Sequence, residues 1–246
     1  MKLAFSTNAY MRFSVEDALS RLASVGYRGV ELMADVPHAW PAGLLPERKR
    51  SIRETLDQLG LGISNINAFM MNAVADPRQP YWHPSWIEPD PHYRRIRIEH
   101  TKRALTLAKE LGAPNITTEP GGPLAPGQSF EQGLDEFVGE LRPVVEHAER
   151  EGVMLLVEPE PGLLIEKSDQ YLAFADRISS AMLGLNFDIG HQYCVGEDPA
   201  TSVRKLARHI RHVHLEDIAA TRVHHHLVPG AGAIDFQSVV AALREI

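Results

Sequence analysis

The chain has 246 residues, 44% of them apolar and 23% charged. This composition supports a buried core the size of an α/β barrel and excludes a disordered tail, a collagen-like repeat and a coiled coil. The formal net charge of −7 argues against a nucleic-acid partner, which needs a basic face, and no stretch nears the ~18 consecutive apolar residues of a membrane span.

In chain order, residues 2–8 read as a strand. The opening MKLAFSTNAYMRF lacks the apolar run and cleavage site of a secretory leader. Ser14 and Asp17 stand in capping-box positions for a helix over 14–26 that Gly26 stops. A short strand follows at 29–33, an amphipathic helix at 46–59 closed by Gly60, and a strand at 61–67. Residues 69–91, rich in Pro, Trp and Asn, are too long for an ordinary connection and read as a loop over an active site. The pattern then resumes with a helix at 93–111 and a strand at 115–119. Ser129 and Gln132 open a second capping box for a helix at 129–151. After it come a strand at 153–158, a helix at 168–178, a strand at 183–188, a helix at 199–209 and a strand at 210–214. A last helix begins at Asp235.

Alternating strands and helices predict a parallel sheet. VMLLVE, LGLNFD and IRHVH are apolar along much of their length, as strands covered on both faces are. No G-x-G-x-x-G follows the first strand, so the expected fold is a (β/α)8 TIM-type barrel, a single domain over 1–246, rather than an open dinucleotide-binding sheet. These residues supply about seven βα units. The eighth strand and helix are expected to be missing, which leaves a gap between two open strand edges. The single cysteine, Cys194, permits no internal disulfide and makes a reducing, cytoplasmic setting the default.

Barrels carry their chemistry where strands end. Those ends are Asn8, Glu31, Asn67, Glu119, Glu158, Asp188 and His214. Carboxylates crowded into one mouth repel one another, and a cation resolves the repulsion. Glu158, Asp188 and His214 are the candidate metal ligands, a donor set that suits divalent Mn, Co, Zn or Mg. His191 follows Asp188 in D-I-G-H, and six of the twelve histidines fall between 209 and 226. Each of these residues also has a plainer explanation. A strand-end glutamate is most often solvated or paired, and Glu31 has Arg28 and Lys2 at hand. His212 is as readily a supporting or core residue as a residue of the site, and His224–His226 also reads as a solvated run. Trp82, His83 and Trp86 are expected to close over a substrate.

The segments VEPEPG, NFDIGH, RHVHLED and HHHLVPGAGAIDF, with the opening GYRGVEL, resemble the xylose isomerase-like barrel superfamily. That superfamily includes sugar and sugar-phosphate isomerases and epimerases, inosose dehydratase-like enzymes, hydroxypyruvate isomerases and endonuclease IV. The resemblance implies that Glu158 is both metal ligand and acid/base, that Asp188 and His214 are ligands, and that His191 contacts substrate or metal. It implies a second metal or substrate contact at His226 and His224. Glu119 and Asn67 stand where endonuclease IV has histidines, which weighs against nuclease chemistry. Family members finish with an eighth strand bearing a second glutamate, the opposing acid/base, which these residues do not reach. The implied function is a divalent-metal-dependent isomerase or epimerase of a small sugar or polyhydroxy carbonyl compound, acting through a metal-stabilised enediolate. The alternatives are a metal-dependent dehydratase of the inosose dehydratase type, an endonuclease IV-like phosphodiesterase and a non-catalytic barrel subunit. The expected partner is a small-molecule substrate, with a homo-oligomer left open.

Overall fold

The computed structural model describes residues 2–74, 76 and 78–246. Seven strands form one sheet in chain order: β1 (Ala4–Ser6), β2 (Gly29–Met33), β3 (Gly62–Asn67), β4 (Asn115–Thr118), β5 (Met154–Val157), β6 (Leu183–Asp188) and β7 (Ile210–His214). All neighbours pair in parallel. Each chain return therefore needs a crossover, and helices supply them. They are α1 (Val15–Val25), α2 (Pro46–Leu59), α3 (Pro91–Leu111), α4 (Phe130–Glu151), α5 (Ser168–Ala175), α6 (Ile189–Cys194) and α7 (Pro199–Leu206), with α8 (Phe236–Glu245) last. The sheet curls: His214 at the end of β7 comes within 2.7 Å of Glu31 in β2. The architecture is a TIM-type barrel of seven βα units. Among the described residues no eighth strand joins β7 to β1, as expected from the sequence.

The local signals act as read. Ser14 accepts the backbone N–H of Asp17, and Gly26 closes α1 at φ 107°, a left-handed conformation that favours glycine. Ser129 and Gln132 bond each other's backbone at the start of α4. One apolar core links Leu19 and Leu22 of α1 to Val30, Ile66, Ile116, Leu155 and Leu185 of the strands. Phe137 and Phe174 stack within it at 5.2 Å. No helix among the described residues is long and apolar enough to cross a membrane.

Three departures bear on the site. The first strand stops at Ser6, whose hydroxyl accepts the Asn8 N–H and turns the chain into a 3-10 helix over Thr7–Tyr10. Asn8 is thus in that turn and not at a strand end. The short α6 was not expected, and Asp188 starts it as N-cap. Helices α5 and α7 end earlier than predicted. Ala75 and Pro77, within the loop expected at 69–91, lie outside the described residues.

Candidate active site

Parallel pairing places Asp188 of β6 beside His214 of β7, with Glu158 just beyond the end of β5. His214 Nδ1 lies 2.7 Å from Glu158 Oε1 and 3.7 Å from Asp188 Oδ2. One ligand atom from each of the three lies within 4.8 Å of the others. Three neighbours fix the carboxylates. Asn186 donates to Glu158 Oε2 at 2.9 Å. The backbone N–H groups of Gly190 and His191 donate to Asp188 Oδ1 at 2.7 and 3.0 Å, which leaves Oδ2 for the mouth.

The other side of His214 is held as firmly. Its Nε2 meets Glu31 Oε2 at 2.7 Å, and His212 Nε2 lies 3.5 Å from the same oxygen. Asn65 donates to that oxygen at 2.8 Å. Glu31 therefore pairs with histidines across the barrel, not with Arg28 or Lys2. Burial pushes the Glu31 carboxyl up, but His214 and His212 outweigh it and hold it well below the usual carboxylate range. Burial likewise opposes charge on His214, and Glu158 and Glu31 outweigh it and hold the imidazole well above its ordinary value.

A second cluster adjoins the first. Ligand atoms of His191, Glu216, His224 and His226 lie within 4.8 Å of one another. His226 Nε2 meets Glu216 Oε2 at 2.7 Å and His224 Nε2 at 2.9 Å. His191 Nδ1 donates to the Pro159 carbonyl at 2.8 Å, which fixes the ring and turns Nε2 towards Glu160 at 3.5 Å. Burial works against the His191 charge, but Asp188, Glu160, Glu158 and Glu216 raise its pKa to about 9. Burial together with the neighbouring His191 and His226 lowers His224 to about 4. Glu216 Oε1 is buried without a partner. Its carboxylate fits only because residue 190 is glycine, since a Cβ there would overlap it. The Asp217 carboxylate accepts the N–H groups of Ile218, Gly230, Gly232 and Ile234, and its backbone pairs with Leu227. That ties down the loop carrying His224 and His226. His225 joins neither cluster.

Two sequence expectations are corrected. Both Glu119 oxygens are taken up by backbone rather than left free for a metal or substrate. The residue is wholly buried, and these oxygens accept the N–H groups of Trp86 at 3.1 Å and Gly121 at 2.9 Å. Trp86 has no exposed surface. It packs on Phe137, and its indole N–H donates to Thr118. Asn67 accepts the Phe69 N–H and turns the chain at the end of β3. Trp82 remains partly exposed against Tyr81. Sequence reasoning missed Glu160 and Glu216. Each stands two residues past a predicted ligand, Glu158 or His214. In extended chain that spacing returns a side chain to the same side, and this signal would have found both. Among the described residues, the ion pairs of Glu31, Glu158, Glu160, Asp188 and Glu216 are all with histidines, none with lysine or arginine.

A family model described as xylose isomerase-like TIM barrel matches residues 19–246. The chain is 26% identical over 250 residues to fructoselysine 3-epimerase of Escherichia coli O157:H7, covering 98% of this chain and 84% of that protein. It is 23% identical over 261 residues to inosose dehydratase of Clostridium beijerinckii, covering 94% and 78%. Among solved structures, a D-tagatose 3-epimerase-like protein superposes with a TM-score of 0.84 at 25% identity, covering 100% of this chain and 86% of that one.

Proposed function

The chain belongs to the xylose isomerase-like TIM barrel family, and on that premise we propose that it is a divalent-metal-dependent isomerase or epimerase of a small sugar or related polyhydroxy carbonyl compound. The observation that carries this reading is the convergence of Glu158, Asp188 and His214 within 4.8 Å. Two buried carboxylates and an imidazole form a donor set suited to Mn, Co, Zn or Mg. These three residues would hold the ion, and when bound it supplies Lewis acidity to a carbonyl and a neighbouring hydroxyl.

The remaining chemistry belongs to the side chains. Glu158 takes the proton from the carbon alpha to the carbonyl, its carboxylate held by Asn186 and His214. In isomerisation it returns that proton to the neighbouring carbon, whereas inversion at the same carbon takes a proton from an acid on the opposite face. His191, oriented by the Pro159 carbonyl, offers Nε2–H to a substrate oxygen. His224 and His226 with Glu216 form the adjoining wall for further hydroxyls or a second ion. A protonated His191 also suits departure of a hydroxyl as water. With the inosose dehydratase likeness, this keeps dehydration as the second reading.

The test is incubation with each metal and a panel of ketoses and cyclitols in D2O. Epimerisation exchanges deuterium into the carbon alpha to the carbonyl without loss of water, and dehydration yields an unsaturated product. No exchange and no product with any metal would sink both readings.

A further inference from the structure

The segment between β3 and α3 is held in an unusual way. Arg97 of α3 is wholly buried. Its guanidinium donates to the carbonyls of Ala68 at 3.3 Å and Phe69 at 2.6 Å, where the segment leaves the barrel. It also donates to Trp82 at 3.3 Å and Pro84 at 2.8 Å, where the segment returns. The charge is balanced by Glu119, 3.9 Å away, which itself accepts the N–H of Trp86. Taking such a pair out of water is costly. Here almost all its bonding goes to the main chain of one segment, so that segment's path is what the pair secures.

Between the pinned ends stands Tyr81, 47% exposed. Its hydroxyl donates to Glu160 Oε1 at 2.6 Å. Glu160 in turn lies 3.5 Å from His191 Nε2 and 3.5 Å from His224 Nδ1. Trp82, whose carbonyl Arg97 holds, packs edge-on against Tyr81 at 4.9 Å. Contacts thus run unbroken from Arg97 through Trp82 and Tyr81 to the histidines of the mouth.

We infer that Tyr81 is a substrate-contacting residue and that Arg97 is the positioning residue that sets where its hydroxyl stands. The inference rests on the function proposed above. A polyhydroxy substrate carries O–H donors, and the phenol oxygen, its own proton held by Glu160, stands beside that carboxylate so that two acceptors meet them at one spot. The planar fork of arginine holds several carbonyls at fixed angles, which the compact ammonium of lysine does not reproduce.

The experiment measures kcat and KM for the wild type, Tyr81→Phe, Arg97→Lys and the double variant on a substrate the wild type turns over. It also follows the initial rate of tryptic cutting after the exposed Arg78. Tyr81→Phe should raise KM by about three- to tenfold, the size of one neutral hydrogen bond, with kcat within about twofold. Arg97→Lys should raise KM to a similar degree and speed cutting at Arg78. The double variant should be no worse than Arg97→Lys, because both substitutions act through one hydroxyl. An unchanged KM in Tyr81→Phe overturns the inference even where Arg97→Lys fails to fold, and so do single effects that multiply in the double variant. A wild type that turns over nothing overturns the proposed function itself, and this inference with it.

Discussion

Glu31 and Glu158 grip opposite ring nitrogens of one imidazole, that of His214, each at 2.7 Å. A carboxylate only accepts, so both nitrogens carry hydrogen and the ring is an imidazolium. A divalent ion bound by His214 must displace one of those protons. Binding should therefore release protons and tighten as pH rises. Titration calorimetry in buffers of different ionisation enthalpy checks this, and proton-neutral binding would exclude His214 as a ligand.

His191 gives the metal-free protein its own pH dependence. Its folded pKa of about 9 lies above the ordinary 6.5. The stabilisation it contributes is fully present below pH 6.5 and is lost as pH rises through 9. The gap corresponds to about 3 kcal/mol at most. Urea unfolding of metal-free protein across this window should show the decline, and His191→Asn should flatten it.

Glu158→Gln should leave the fold intact and retain much of the metal, while kcat falls about 10²–10⁴-fold, the usual loss for a positioned general base. Kinetics alongside metal content after dialysis separates the two effects. Full activity in the variant would remove Glu158 from proton transfer.

His214→Ala should lose metal on dialysis and lower the melting temperature of the metal-free protein. Removing one partner of a buried ion pair costs about 3–5 kcal/mol, because the carboxylates left behind lose the cation between them and keep only the more distant His212 and His191. Added divalent ion should restore part of that loss.

Gly190→Ala tests the second cluster separately. The new methyl overlaps the Glu216 carboxylate, which must move away from His226. Overpacking of this kind costs about 1–3 kcal/mol. The Glu158–Asp188–His214 group should keep its metal in the variant, as metal analysis would show.

The order of elements was legible because strand and helix periodicity, caps and glycine stops are local signals. Glu158, Asp188 and His214 were legible as a group because strand ends in a barrel share one mouth, whereas Glu31 lies two residues inside β2 and reaches the group through His214. Glu119 met the same rule but is not free for a ligand, since Arg97 and the N–H groups of Trp86 and Gly121 engage it. Those partners come from remote or non-periodic chain, which no local pattern reports. Helix α6 was too short to show a period, and the carboxylate that starts it was read only as a ligand. The loop around Trp86 points to the mouth in sequence, whereas the indole fills the core beside Phe137.

The backbone pairing of Asp217 with Leu227 closes residues 218–226 into a loop whose two ends meet. Because its ends are fixed to each other, the part of that stretch beyond Ile218, which is itself buried in the core, can be exchanged as a cassette without shifting β7 or α8. Glu158, Asp188 and His214 sit on the barrel strands or directly beyond them, whereas His224 and His226 ride on the cassette. The two halves of the mouth can thus diverge independently: one keeps its chemistry while the other is rewritten, in nature or by loop grafting, to admit a different molecule.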